Sequence, residues 1–156
     1  MTGAKGVGKS TLLKKLLPAG EIGGFFTVKT DTVYDCLSVH LLRPGETPSP
    51  DNLLFFCHRK DDATIAQRFD RLGCTALSVK APVLVMDELG PTEQNALAFQ
   101  TAVWQALDGD VPIIGVLQCA DTPFLWQVTQ HPQVQVVTVT PENRDALAHQ
   151  FRIQRK

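Results

Sequence analysis

The sequence predicts an α/β fold in three layers, with a mainly parallel central sheet between two layers of helices. Segments typical of strands alternate with helical segments through the second half of the chain. Such alternation implies right-handed crossovers, which place successive strands in parallel and cover both faces of the sheet. Two segments, "PVLVMDE" and "VPIIGVLQ", are almost continuously apolar, as expected for strands that are buried on both faces.

The first half of the chain begins with a glycine-rich loop that leads into a helix. Leucines at positions 12, 13, 16 and 17 form one apolar stripe over residues 9–17, and "PAGEIGG" ends this helix. The segments "FFTVKT", "CLSVHLL" and "LLFFCH" are predicted strands, with a turn-rich connection at residues 43–52. The spacing of Ile65, Phe69 and Leu72 then predicts a helix over residues 61–72.

The second half continues the alternation of strands and helices. After the strand at residues 82–88, we expect a helix from Pro91 or Thr92 to Leu107 and a strand at residues 111–118. A short helix at residues 123–130, a strand at 134–140 ("VQVVTVT") and a helix at 142–152 follow. The chain has 156 residues, without repeats or a linker, so we expect a single domain over residues 1–156.

Composition excludes several classes of protein. The net charge is -1 and no block of like charges occurs, so no nucleic-acid surface is indicated. No apolar segment is long enough to cross a membrane, and the N-terminus lacks the apolar core of a signal peptide. The four cysteines and four histidines lack metal or redox spacing. We expect a soluble, cytoplasmic protein with reduced cysteines, and the sequence leaves its oligomeric state open.

The motif "GAKGVGKS" at residues 3–10 predicts a phosphate-binding loop, because it fits the pattern G-x-x-x-x-G-K-[ST] at every fixed position. Its glycines let backbone N–H groups point inward, and the following helix directs its positive end at the phosphates. Lys9 is expected to reach the β- and γ-phosphates, and the Ser10 hydroxyl to bind Mg²⁺. Lys5 is expected to be exposed on the loop.

Two acids follow the apolar strand "VLVM" and complete the predicted site. Asp87 stands at the strand end, where a metal-binding acid belongs, and is the predicted second ligand of Mg²⁺. Glu88 comes next and can orient and deprotonate an attacking water, which favours a hydrolase over a kinase. The catalytic residues predicted from the sequence are therefore Glu88 and Lys9.

Three other functions are open at this point. "DELG" also fits the Asp-x-x-Gly element of GTPase switches, but the guanine-reading element Asn-Lys-x-Asp is absent. A small kinase would need a cluster of arginines on a lid, which Arg59, Arg68 and Arg71 could supply. A nucleotide-dependent binding module, in which hydrolysis times release from a partner, is the third alternative.

Gln118 is a further candidate for contact with the nucleotide. It ends the strand that, in one branch of such folds, lies between the loop and the acids. Its amide would then lie near the γ-phosphate, where it could sense hydrolysis.

The chain resembles the small P-loop nucleoside-triphosphatases, a family known from thermophilic microbes and, in humans, as the cancer-related nucleoside-triphosphatase. The resemblance rests on "GAKGVGKST", "GGFFT", "VLVMDELG" with Glu93 shortly after it, and "VTPENRDAL", which occur in that order over nearly the whole chain. It implies a P-loop NTPase fold and Mg²⁺-dependent hydrolysis of the terminal phosphate. The implied substrates are ATP, GTP, CTP and UTP, with little selectivity for the base.

The same resemblance assigns roles to individual residues. Arg144 is similar to a family arginine that approaches the nucleotide. Gly23 and Gly24 would form a tight turn before the second strand, whereas the following "VKTDTVYDCLSVHLL" departs from the family pattern. No arginine finger within the chain is evident, so slow turnover is implied unless Arg144 or a partner supplies one. The loop residues placed on the phosphates are Gly3, Ala4, Lys5, Gly6, Val7, Gly8, Lys9, Ser10 and Thr11.

The strand that should precede the phosphate loop is largely missing from this sequence. Only Met1 and Thr2 come before Gly3. In the expected fold this strand lies in mid-sheet, flanked by the strands that end near Asp87 and Gln118. We expect the natural chain to start about five to eight residues earlier with an apolar run, a typical strand length.

Overall fold

The computed structural model describes residues 1–59 and 64–153. The described residues contain five α-helices, two short 3₁₀ helices and five strands in one sheet. The helices are α1 (Lys9–Leu16), α2 (Ile65–Leu77), α3 (Leu97–Leu107), α4 (Pro123–Gln130) and α5 (Arg144–Ile153). The strands are β1 (Gly23–Thr30), β2 (Ser38–Leu42), β3 (Leu53–Phe56), β4 (Leu84–Leu89) and β5 (Ile113–Leu117).

The sheet has the order β3-β2-β1-β4-β5. β1, β4 and β5 pair in parallel, whereas β2 is antiparallel to both β1 and β3. All strands except β2 therefore run in the same direction, which confirms the predicted mainly parallel sheet. The parallel strands end at one edge of the sheet, and ligands bind at that edge in folds of this type.

Helices cover both faces of the sheet, as a three-layer fold requires. On one face α2, α3 and α4 bury an apolar core that includes Phe25 of β1, Phe69 of α2 and Phe99 of α3. The rings of Phe25 and Phe99 meet edge to face, with centroids 5.6 Å apart. On the other face Leu13 of α1 packs against Val85 and Val116, and α5 packs beside α1. The predicted fold class is confirmed.

Met1 and Thr2 stand where a first strand would end. The Leu117 N–H donates to Met1 O at 2.7 Å, which joins the N-terminus to β5. On its other side, Thr2 exchanges hydrogen bonds with Val137 O (2.9 Å) and the Val139 N–H (2.8 Å). These two residues therefore bridge β5 and the segment at residues 137–139.

The expected position of the missing strand is wrong. It was expected between the strands that end near Asp87 and Gln118, but these strands, β4 and β5, pair directly with each other. The N-terminal residues lie on the opposite side of β5. The sheet therefore has the strand order of the other branch of these folds, in which β5, the strand before Gln118, lies between the phosphate loop and the acids of β4.

Two predicted elements differ from the structure, and part of a third cannot be compared with it. "VQVVTVT" forms only a bridge between Thr138 and Thr2, because a strand needs a paired neighbour and only two N-terminal residues are available. The helix expected from Pro91 is split into a 3₁₀ helix (Pro91–Asn95) and α3, since Ala96 leaves the helical conformation. The predicted start of α2 at residues 61–63 lies outside the described residues.

Gly23 and Gly24 lie inside β1 and do not form a turn before it. They pair with Leu84 and Val85 of β4. Gly24 has φ 88°, and a Cβ there would stand 2.0 Å from Val85 O. The glycine is therefore required for the close approach of β1 to β4.

Among the described residues, no helix is long and apolar enough to span a bilayer.

Candidate active site

Residues 3–8 form a tight loop that ends where α1 begins. Gly3, Gly6 and Gly8 have φ values of 142°, 80° and 95°, a region that other residues rarely adopt. Gly8 precedes the helix, and no side chain caps its N-terminus. The first N–H groups of α1 therefore remain available to an anion, and the helix dipole adds partial positive charge at this end.

The Lys9 ammonium lies across this loop. Its Nζ donates hydrogen bonds to Gly3 O at 2.9 Å and to Ala4 O at 3.0 Å. Lys5 is exposed, as predicted. The loop thus presents a fixed ammonium group together with the N–H groups of the helix start, an arrangement suited to a polyphosphate.

Ser10 and Asp87 bring two oxygen atoms that could bind a metal ion together beside the loop. The Ser10 hydroxyl donates to Asp87 Oδ1 at 3.0 Å. Asp87 is buried in β4, and burial raises the pKa of its carboxyl, although the bond from Ser10 opposes this shift. Mg²⁺ is commonly held by one or two carboxylates together with substrate phosphates, so this pair fits a magnesium site completed by a nucleotide.

Glu88 occupies a bulge at the end of β4. The pairing with β5 shifts register between Asp87 and Leu89, so Glu88 has no partner residue on the neighbouring strand. Its backbone N–H donates to the Thr27 hydroxyl at 3.2 Å, and its Oε1 accepts a hydrogen bond of 2.6 Å from Gln118 Nε2. Bulges beside active sites commonly redirect a side chain, and this one directs Glu88 into the cavity that holds the loop.

Glu93 is a buried carboxyl to which the sequence analysis gave no role. Its Oε2 accepts bonds from the Gly90 N–H (3.1 Å) and the Thr92 hydroxyl (3.2 Å), and it lines the same cavity as Glu88. Burial, with a further contribution from the charge of Glu88, raises the pKa of Glu93 to about 8. The Glu93 carboxylate accepts from the Gly90 N–H as the glutamate of a capping box does, but Gly90 has no side chain to complete the box, so no capping signal in the sequence identifies Glu93.

Arg144, at the start of α5, lies against the phosphate loop. A Cβ on Gly8 would come within 3.2 Å of Arg144 Cδ and Nη1. Asn143 and Thr140 cap the start of this helix: the Thr140 N–H donates to Asn143 Oδ1, and the Asn143 N–H to Thr140 Oγ1. The capped turn fixes the beginning of α5 and so places Arg144 at the loop.

The predicted site residues collect around one cavity of about 780 Å³. It runs from the loop past Glu88 towards the apolar side chains of β3 and α2. Val7 packs into the apolar core beneath the loop, and Asp87 lies behind Ser10. The predicted residues that line the cavity are Gly3, Lys5, Gly6, Gly8, Lys9, Ser10, Thr11, Glu88 and Gln118.

The arginines proposed for a kinase lid lie elsewhere. Arg68 Nη1 donates to Leu54 O, and Arg71 Nη2 to Asp51 O, each at 3.1 Å. Both side chains therefore attach α2 to the region of β3, and neither lines the cavity at the phosphate loop.

Together, the glycine loop at the head of α1 and the acids at the end of β4 define a P-loop nucleotide-binding protein. A family model described as NTPase matches residues 54–151, more than half of the chain. The chain therefore belongs to the NTPase family and is an enzyme, a hydrolase.

Comparison with known proteins agrees with this assignment. The chain is 28% identical over 167 residues to nucleoside-triphosphatase THEP1 of Methanosarcina barkeri, covering 97% of this chain and 95% of the relative. It is 23% identical over 165 residues to THEP1 of Thermotoga maritima, with 97% and 91% covered.

Two solved structures share the fold. The crystal structure of THEP1 from the hyperthermophile Aquifex aeolicus aligns with a TM-score of 0.76 at 23% identity, covering 99% of this chain and 97% of that one. The solution structure of a human cancer-related nucleoside triphosphatase aligns with a TM-score of 0.62 at 24% identity, with 98% and 94% covered.

Proposed function

We propose that this protein hydrolyses nucleoside triphosphates to the diphosphate and phosphate in a Mg²⁺-dependent reaction. The observation that carries the proposal is the pairing of Ser10 with Asp87 at 3.0 Å directly beside the Glu88 carboxylate. Ser10, a candidate metal ligand, and Glu88, the candidate base, line the cavity that the phosphate loop opens into, and Asp87 lies behind Ser10. The named relatives are nucleoside-triphosphatases, which supports the same reaction for this chain.

In this proposal most residues of the site bind the nucleotide and the metal ion, and Glu88 accepts the proton. The N–H groups of the loop and the Lys9 ammonium hold the phosphates, with Gly3 to Thr11 forming the binding loop. Ser10 and Asp87 would hold Mg²⁺, which when bound neutralises charge on the phosphate oxygens. Glu88 orients a water molecule and accepts its proton.

Arg144 and the base selectivity complete the proposal. Arg144 lies beside Gly8, and its Nε is 3.5 Å from Asp145 Oδ1 on the surface of α5. We propose that its guanidinium neutralises charge on a nucleotide bound at the loop. The guanine-reading element Asn-Lys-x-Asp is absent from the sequence, and we propose ATP, GTP, CTP and UTP as substrates. Four free cysteines suit a reducing compartment, and we propose that the protein is cytoplasmic.

The proposal is tested by phosphate release from the four nucleoside triphosphates, with and without excess EDTA. We expect activity in wild type that EDTA abolishes, and a loss of about 10²- to 10⁴-fold in kcat for Glu88→Gln with nucleotide binding retained. Lys9→Ala should lose both binding and turnover. Gln127→Ala, on the exposed face of α4, is the matched control and should behave as wild type.

The outcomes separate the competing functions. Wild type that binds nucleotide but releases no more phosphate than Lys9→Ala would favour a binding module over an enzyme. Transfer of phosphate to an added small molecule in place of water would favour a kinase. Normal turnover by Glu88→Gln would remove Glu88 from the mechanism and leave the fold assignment intact.

A further inference from the structure

Gln118 contacts the candidate base directly. Its Nε2 donates to Glu88 Oε1 at 2.6 Å, the only hydrogen bond that the Glu88 carboxylate accepts from the described residues. No lysine or arginine among these residues forms an ion pair with Glu88. One oxygen of the carboxylate is thus fixed by a neutral amide, and the other is left to accept a proton.

The backbone of Gln118 fixes the same end of β4. The Gln118 N–H donates to Leu89 O at 2.9 Å, directly after the bulge at Glu88. Gln118 therefore binds the peptide chain beyond Glu88 through its backbone and the Glu88 carboxylate through its side chain. Gln118 is exposed, but both its backbone and its side chain are held by these contacts, and the short distance from Nε2 to Glu88 Oε1 indicates a charge-assisted bond.

Gly90 sets the position of the Gln118 amide from the other side. A Cβ at Gly90 would stand 2.8 Å from both Gln118 Cδ and Nε2. Gly90 has φ -143°, an extended conformation that alanine adopts without strain. Glycine at position 90 therefore leaves room for the Gln118 amide, and the backbone conformation at this position does not require it.

We propose that Gln118 is a positioning residue that holds the Glu88 carboxylate in the orientation needed to activate water. In this role Gln118 acts through Glu88 and makes no contact with the γ-phosphate, in contrast to the sensor role expected from the sequence. The neutral amide fixes the base without cancelling its charge, whereas a lysine at the same place would weaken it. The role rests on the hydrolysis proposed above.

A double-mutant cycle tests this role. Misplacing a reacting group by about 1 Å can cost about 100-fold in rate, so we expect Gln118→Ala to lower kcat by about 10- to 100-fold with KM unchanged. In the Glu88→Gln background, the same substitution should change kcat no further. Multiplicative losses, or a raised KM, would show direct contact with the nucleotide and overturn the proposal.

Two further variants separate positioning from simple packing. Gln118→Glu keeps the shape but replaces the donor with a second carboxylate, so it should be at least as slow as Gln118→Ala. Gly90→Ala should displace the amide and lower kcat with KM unchanged, by less than Gln118→Ala does. Wild-type kcat in either variant would overturn the proposal, and Gln127→Ala again serves as the control.

The cycle also distinguishes this proposal from the proposed function. If wild type hydrolyses nucleotide and the losses multiply, only the role of Gln118 is wrong. If wild type releases no phosphate, hydrolysis and the role of Gln118 are both wrong. Binding of a fluorescent nucleotide analogue and thermal unfolding, measured for each variant, identify any variant that has lost its fold.

Discussion

Two regions of the sheet bury polar side chains, and they do so in opposite ways. Under the connection between β2 and β3, His40 is fully buried, with Nε2 2.9 Å from Ser38 Oγ and Nδ1 2.9 Å from Asn52 Oδ1. Asn52 in turn donates to Thr47 O and accepts from the Ser49 N–H. The partners in this hairpin network are uncharged hydroxyl, amide and backbone groups of the protein, which satisfy one another.

The end of β4 instead collects three carboxyls within seven residues. Asp87 and Glu93 are both buried, and burial raises the pKa of each. Their partners in the structure are hydroxyl and backbone N–H groups, without an ion pair among the described residues. Buried acids without a cation are unfavourable unless function requires them, whereas the hairpin network contributes to stability alone.

The largest expected effect comes from breaking the hairpin network. Asn52→Ala removes a partner from His40 Nδ1, the Ser49 N–H and Thr47 O. His40 Nδ1 keeps Ser49 O at 3.1 Å, and each of the other two groups, if left unpaired and buried, costs about 1–3 kcal/mol. We expect the free energy of unfolding to fall by about 2–4 kcal/mol, measured by urea denaturation, while kcat per folded molecule stays at the wild-type value. The exposed variant Gln127→Ala should change stability by less than about 0.5 kcal/mol. A fall in kcat along with stability would show that the two regions are not independent.

The second expected effect, at the buried acid of the site, depends on pH. The pKa of Glu93 rises from an ordinary value of 4.5 to about 8, so between these pH values the folded protein keeps a proton that the unfolded chain releases. The free energy of unfolding therefore falls as pH rises through this window.

Glu93→Gln removes this titration and keeps an oxygen that can accept from the Gly90 N–H. We expect the variant to gain stability relative to wild type as pH rises from about 4.5 to about 8. The gain should exceed about 1 kcal/mol, since one pKa unit corresponds to about 1.4 kcal/mol. Urea unfolding at a series of pH values measures it, and a difference that does not vary with pH would contradict the assignment.

The smallest effect is expected from an exposed ion pair next to the hairpin network. Arg43 Nη2 lies 2.5 Å from Glu46 Oε1, and the two side chains are 48% and 30% exposed. Exposed pairs of this kind contribute about 0–1 kcal/mol and are screened by salt. Glu46→Gln should therefore lower the free energy of unfolding by less than about 1 kcal/mol, and the loss should shrink at high salt. A larger, salt-independent loss would place this pair with the buried network.

Local signals in the sequence were enough to predict the phosphate loop and most elements. The loop depends on glycines at positive φ followed directly by a helix, and both features can be recognised in eight consecutive residues of the sequence. Helices α1 and α4 agree closely with the predicted ranges because apolar stripes and prolines mark them. The buried strands β4 and β5 were likewise predicted from continuous apolar runs.

Features that depend on a distant partner could not be predicted. The pair Gly23 and Gly24 indicates a turn by itself, and only the nearby Val85 carbonyl explains why it lies in a strand. "VQVVTVT" has strand composition but finds only Thr2 to pair with. The hydrogen bond between Gln118 and Glu88 depends on the bulge in β4, and no local pattern in the sequence predicts this bulge.

The pairing of Thr2 with residues 137–139 bears on the order in which the chain can assemble during synthesis. The phosphate loop leaves the ribosome before Val137, Val139 and the α5 side chains that pack on α1. Contacts that span nearly the whole chain form late, because they must close the longest loops. A nascent chain whose β1 to β5 have already paired therefore still lacks the contacts that residues 137–139 and α5 make with the N-terminus and α1.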